Sequence, residues 1–548
     1  MPRNTTSKNR GEHEGLIQEA FHECEPDETN KHERIATPKR GTTSNGAGRR
    51  RSQDKDKSPS LLRSLSSSVV DEVNRRRRAS VKENLPETPQ GWAVFLSLMA
   101  SLLVGYEVRL QKSLTAPPRV FGQLETSPVL RELYDRLTHN KDAILARNIL
   151  PSLFVGTRAS LASAAGYALG GPSPDAKFLC FQELLPMTQD GAKVAIDWEL
   201  PPDTRVNREE RIRRIKSGPI QLPVVLIVHG LNNDASFGYV KSLMRACAER
   251  GWIAIGMHFR GMGGVPLHTP RGYNGAYTGD IRCVVRTIAA RMEKGNSMFL
   301  VGNSLGANLM TKFLGEEGRA KTIPECVAGG ISIGNPIRIH SANLAFPWGH
   351  VIGLGTKKDI LLRMRAFRPM MTSKGFRDAF TKFFWALSIG EIDEAVAPVL
   401  IANNSEAPFE TRVGYENAEA YWHDASSYRH IRHVSVPLLV LTSEDDFIVH
   451  HGAQAKLSYC LANPNVMVVN TRCGGHLGWH ESPPDSKSLF GIGTSWADTA
   501  TTDFIGAVLE RNRKISGQKT SQNEGLRLEK QRLRSQALDD AKQLRSRL

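Results

Sequence analysis

Six short apolar runs, at 224–228, 252–256, 298–301, 327–333, 437–441 and 466–469, limit the fold more than any other feature of the chain. Each is too short to stand as a helix and lacks polar–apolar alternation, so each reads as a strand covered on both faces. Helical spacing fills several of the gaps, at 237–250, 278–293 and 305–317. Strands alternating with helices predict an α/β fold, with a mostly parallel central sheet flanked by helices. Upstream, 178–181 and 193–198 are strand-like runs on either side of Asp190-Gly191, a dipeptide suited to a hairpin turn.

The alternation breaks at 337–436, where helical patterns rich in aromatics (Phe376, Phe380, Phe383, Phe384, Trp385) precede the last two strand-like runs. An insertion at this place is expected to form a helical lid. The globular body is expected over 145–510. Residues 1–88 are poor in aromatic and β-branched residues and predict a disordered segment; 511–548 form a polar, basic tail. The first segment carries 18 Lys and Arg against 14 Asp and Glu, and the tail 11 against 4, so most of the formal charge of +16 lies outside the body. The body contains no helix-turn-helix, zinc-ligand or RNA-binding pattern, so nucleic acid is not an expected partner. Basic tails suit an anionic membrane face.

Between Glu87 and Glu107 stand 19 uncharged residues. As a helix they would span about 28 Å, close to a hydrocarbon core of about 30 Å. Trp92 and Tyr106 sit near the ends and Arg75 to Arg78 lie upstream. This predicts a single-pass or interfacial helix at 89–108 with a cytosolic N-terminus. Arg77-Arg78-Ala79-Ser80 fits a basophilic kinase site. Seven scattered cysteines without a Cys-x-x-Cys pair predict free thiols in a reducing compartment and no metal site.

The sharpest local motif is Gly302-Asn303-Ser304-Leu305-Gly306, which follows one apolar run and precedes a helical one. Glycines on both sides of a serine permit a tight strand-to-helix turn that projects the hydroxyl from the sheet. A serine hydroxyl is a weak nucleophile near neutral pH and needs a histidine base oriented by a carboxylate. Asp445 and Asp446 directly follow the run at 437–441; Asp446 best fits the acid position and Asp445 is its rival. Thirty residues on, Cys473-Gly474-Gly475-His476 follows the last run, and His476 is the candidate base, with His480 the weaker alternative. Attack on an ester creates an oxyanion, which backbone N–H groups can stabilise. The N–H groups of Leu305 and of Leu231, in His229-Gly230-Leu231-Asn232, are the expected donors.

Together these strings resemble the YheT-like branch of the α/β-hydrolase superfamily, which includes membrane-anchored lipases and phospholipases. The resemblance rests on Asp190-Gly191, Asp197-Trp198, His229-Gly230-Leu231, His258-Phe259-Arg260-Gly261, Gly302 to Asn308, Asp445-Asp446 and Gly474-Gly475-His476. It implies an α/β-hydrolase fold and a serine carboxylic-ester hydrolase acting on lipid esters, acylglycerols or phospholipids among them, with short- to medium-chain esterase activity. It implies no dissociable cofactor and often an N-terminal membrane anchor. The oligomeric state stays open. Two alternatives also stay open. His229 to Asp234 and His480 to Asp485 both fit His-x4-Asp, a pattern linked with acyl transfer, and a catalytically silent fold could serve as a membrane scaffold.

Overall fold

A computed structural model describes residue 86 and residues 88–517, apart from 169–170, 189, 204, 273, 342–343, 345, 400–413, 450–456 and 483–494. The kinase-like site at 77–80, nearly all of the segment 1–88, Asp485 and the tail beyond 517 lie outside the described residues.

Among the described residues a nine-stranded sheet runs in the order β1-β9-β8-β7-β6-β4-β5-β3-β2. Its strands are β1 (Arg119–Phe121), β2 (Leu179–Pro186), β3 (Lys193–Leu200), β4 (Val224–Val228), β5 (Ile253–Met257), β6 (Met298–Asn303), β7 (Val327–Ile333), β8 (Leu438–Ser443) and β9 (Val466–Thr471). From β5 through β4, β6, β7 and β8 to β9 every pairing is parallel. The β2–β3 hairpin joins antiparallel at one edge, turning at Asp190-Gly191, and β1 closes the other edge antiparallel to β9.

The central strands are apolar throughout because both faces are covered. In β4, Val224, Leu226 and Val228 enter one core while Val225 and Ile227 enter the other. Alternate side chains point to opposite faces, so two buried faces demand an unbroken apolar run. The first core is completed by Ile281, Val284 and Ile288 of the helix Gly279–Arg291 and by Leu309, Met310 and Phe313 of the helix Leu305–Ala320. The second takes Val240, Leu243 and Met244 of the helix Gly238–Glu249, and Phe504, Ile505 and Val508 of a helix at 496–517.

The body begins earlier than the composition suggests. β1 lies in the sheet, and Leu130 and Leu133 of the helix Pro128–Leu137 are fully buried in the second core, both upstream of residue 145. A three-residue edge strand has too little apolar periodicity to stand out in sequence.

Between β7 and β8 the chain builds its own helical layer. It includes α1 (Trp348–Leu362), α2 (Lys374–Trp385), α3 (Ile389–Val396) and α4 (Ala418–Ala425). Phe383, Ile392, Val396, Tyr421 and Trp422 form a separate small core there.

Upstream of the body, Pro89–Leu114 is a single helix of 26 residues, longer than the stretch 89–108 expected from charge spacing. By length and composition it is apolar enough to cross a membrane. Val94, Leu96, Leu98, Leu102 and Leu103 are exposed along it.

Candidate active site

Ser304 occupies the turn between β6 and the helix Leu305–Ala320, with φ 53° and ψ −120°. An L residue at positive φ carries steric strain, and such strain concentrates where geometry serves chemistry. The flanking glycines are required by contact. A Cβ on Gly302 would strike Gly306 and Ala307, and one on Gly306 would strike the carbonyls of His229 and Val228. The Ser304 N–H donates to the Ile333 carbonyl at 2.8 Å, which ties the turn to β7. Asn308, one turn further on, donates to the Ala425 carbonyl and accepts from the Ser427 N–H, anchoring this helix to the end of the insertion.

Three side chains that are far apart in sequence meet at this turn. His476 Nε2 lies 2.9 Å from Ser304 Oγ, and His476 Nδ1 lies 2.8 Å from Asp446 Oδ2. A carboxylate only accepts, so Nδ1 holds the ring proton and Nε2 is free to accept from the serine. His476 and Asp446 are buried, while Ser304 is half-buried and lines a cavity. The other Asp446 oxygen accepts from the N–H groups of Ile448 and Val449, each at 3.0 Å.

Its neighbour Asp445 turns elsewhere. Its carboxylate accepts from the Gly475 N–H at 2.8 Å, and burial raises its pKa. It thereby braces the histidine loop together with two serines that sequence reasoning missed. Ser443 Oγ donates to the Gly475 carbonyl, and Ser163 Oγ accepts from the His476 N–H. Gly475 has φ 60°, and a Cβ there would strike the carbonyl of Ala159. His480, the other candidate base, packs beside Gly166 in the helix Ala159–Ala168 and is not brought to Ser304.

Leu231 and Leu305 line the same cavity as Ser304. Neither amide donates a hydrogen bond to another described residue, so both remain available to a ligand. The loop carrying Leu231 is held from behind: the Gly230 N–H donates to Tyr239 Oη at 2.9 Å. A Cβ on Gly230 would come within 3.2 Å of Ser304 Cβ, so the loop approaches the nucleophile closely.

Residues 225–486 match the profile of the alpha/beta hydrolase family. These residues form an α/β-hydrolase domain. Relatives include embryogenesis-associated protein EMB8 of Picea glauca, 27% identical over 75% of this chain and 81% of its own. A monoacylglycerol lipase of Saccharomyces cerevisiae is 28% identical over 47% of this chain and 55% of its own. Phospholipase ABHD3 of Mus musculus is 25% identical over 60% of this chain and 72% of its own.

In this hydrolase the cavity above Ser304 offers about 210 Å³ and is walled mainly by the β7–β8 insertion, through Ile352, Ile360, Ile392, Val396, Tyr421 and Trp422. Among the polar groups that line it is Asp393 of α3, which accepts from Trp422 Nε1 at 2.7 Å. Burial pushes the Asp393 carboxyl up to about 7.

Other strings of the family resemblance do structural work. Arg260, buried, pairs with Asp280 (2.6 and 2.7 Å) and with Asp190 (2.6 and 3.2 Å). Burial alone would lower the Arg260 pKa, but the two carboxylates raise it. His258 faces Asp197 at 3.1 Å. His229 Nδ1 donates to the Gly230 carbonyl and its Nε2 accepts from the Phe259 N–H. Burial pushes the His229 pKa down to about 4. Asp234 accepts from the N–H and hydroxyl of Ser236. His229 therefore has both ring nitrogens engaged away from Asp234, and His-x4-Asp at 229–234 does not form a catalytic pair. Among the described residues no group of three or more His, Cys, Asp or Glu side chains is placed to hold a metal ion.

Proposed function

We propose that this hydrolase is a serine carboxylic-ester hydrolase acting on lipid esters. The observation that carries the reading is the hydrogen-bonded chain Ser304–His476–Asp446 at the wall of an apolar cavity. Relatives named monoacylglycerol lipase and phospholipase support a lipid ester, an acylglycerol or phospholipid, as the substrate class.

In this mechanism Ser304 Oγ attacks the acyl carbonyl while His476 Nε2 takes its proton. Asp446 holds the imidazole in the required tautomer and stabilises its charged form. The Leu231 and Leu305 N–H groups receive the developing oxyanion, and a preorganised donor pair of this kind is the largest source of catalysis in acyl transfer. Protonated His476 then releases the alcohol. Water, activated by the same imidazole, attacks the acyl-enzyme and returns Ser304. The β7–β8 insertion acts as the lid, excluding bulk water and receiving the acyl chain against Ile352, Ile392 and Val396. The helix Pro89–Leu114 anchors the hydrolase to a membrane, with the basic residues 75–78 on the cytosolic side.

Ser304→Ala is expected to abolish labelling by a fluorophosphonate probe while leaving the circular dichroism spectrum intact. Comparing lipid extracts incubated with wild type and this variant identifies the ester consumed. Undiminished labelling of the variant would reject Ser304 as the nucleophile.

A further inference from the structure

The helical layer between β7 and β8 is apolar on the side that meets the cavity and again on the side that meets solvent. In α1, Ile352, Thr356, Ile360 and Arg363 just beyond it line the cavity. Its outer stripe, Val351, Leu354, Lys358, Leu361 and Leu362, recurs at three- and four-residue spacing and is exposed. In α2, Phe376, Ala379 and Phe383 point inward, while Phe384 and Trp385 point out. The largest exposures are Phe346 at 84%, Trp385 at 75%, Leu362 at 73% and Leu387 at 67%. A layer facing only water would place polar side chains at these positions.

The charge across this layer is mixed with a basic excess. Residues 346–396 contain eight Lys and Arg against three Asp and two Glu. Lys358, Arg365, Arg368, Lys374, Arg377 and Lys382 are exposed, and one of the three aspartates, Asp359, is buried. Bulky apolar groups interleaved with exposed cations match an anionic lipid surface, where rings and aliphatic chains enter the acyl boundary and cations meet phosphates.

The position of this face relates it to the active site. A surface groove is lined by Phe346, His350, Lys382, Trp385 and Leu387, with Glu391 and Glu394 beside them. It shares Ser341, Leu344, Ile389 and Trp422 with the cavity that holds Ser304. The groove and the cavity are therefore neighbours across a common wall of four residues.

We propose that the outer face of this layer, centred on Phe346, Trp385 and Leu387, docks onto anionic bilayers, and that the groove is where a lipid ester enters from the bilayer. The entry role rests on the ester-hydrolase reading above; the docking does not. A protein partner seated on the groove would cover the same entrance, whereas a bilayer covers it with substrate. Docking there gives the hydrolase a membrane contact within its body.

The test uses the full chain and vesicles of phosphatidylcholine with or without phosphatidylserine, their acyl chains brominated at known depths. The emission of Trp385, obtained as the difference between wild type and Trp385→Phe, is expected to be quenched by shallow bromines, more strongly with phosphatidylserine present. Quenching only by aqueous acrylamide, or shielding of Trp385 in the absence of vesicles by a second copy or another protein, overturns the docking. In activity assays, Trp385→Ser with Leu387→Ser should raise the apparent KM for a vesicle-borne ester by on the order of tenfold. The same pair should leave kcat/KM for a water-soluble short-chain ester unchanged. Equal loss on both substrates marks a structural role and overturns the entry route. If wild type cleaves neither ester, the hydrolase reading fails while the quenching still decides the docking.

Discussion

At residue scale, the adjacent carboxylates Asp445 and Asp446 have divided roles. Asp446 faces the imidazole of His476 and Asp445 faces the backbone of its loop. Asp446→Asn should therefore lower kcat by about 10³–10⁴-fold by disturbing the imidazole tautomer, with the fold retained. Asp445→Asn should cost far less, since it loosens the loop without touching the ring. Steady-state kinetics on a soluble ester separate the two, and equal losses would contradict the division. Arg260 poses a different question, because its guanidinium neutralises two enclosed carboxylates. Arg260→Met should lower the unfolding free energy by about 3–5 kcal/mol, since removing one member of a buried charge cluster leaves the others unpaired. Denaturant unfolding monitored by tryptophan fluorescence checks it; a loss below about 1 kcal/mol, the ordinary value for an exposed pair, would mean that the site is wet.

At the scale of elements, the insertion helices carry one pH-sensitive carboxyl. Asp393 on α3 has a pKa of about 7 in the folded chain against an ordinary 3.8. A carboxyl whose folded pKa is raised favours folding in its neutral form. Its contribution is fully present below about pH 4 and is lost as the pH rises toward 7. Asp393→Asn, which cannot ionise, should remove this loss. Wild type should then weaken relative to the variant between pH 5 and pH 7 in parallel urea titrations, and a constant difference would show that the carboxyl titrates normally. The same helical layer is joined to the loop carrying Leu231 through Asn232, which donates to the Ile352 carbonyl and accepts from Thr356 Oγ1. Movement of α1 would thus be felt at the expected oxyanion donors, a coupling that periodicity in the sequence does not record.

At the scale of the whole molecule, the sequence by itself determined the layered α/β architecture, because burial on two faces forces a continuous apolar run and each run is a local pattern. It also determined where a strained serine turn could stand, since Gly302 answers to contacts with Gly306 and Ala307 a few residues on, although Gly306 answers to Val228 and His229 across the sheet. The tertiary structure decided the rest. Whether Asp445 or Asp446 meets the histidine depends on the direction in which the chain leaves β8. Whether His476 or His480 approaches the serine depends on the supports of its loop, Ser163 and Ser443, which lie 313 and 32 residues from the groups they hold. β1 joins the sheet through pairing with β9, although its three residues carry no pattern of their own. Local periodicity encodes which face of an element is buried; the partner across that face is set by how the elements pack, and no short window of sequence contains it.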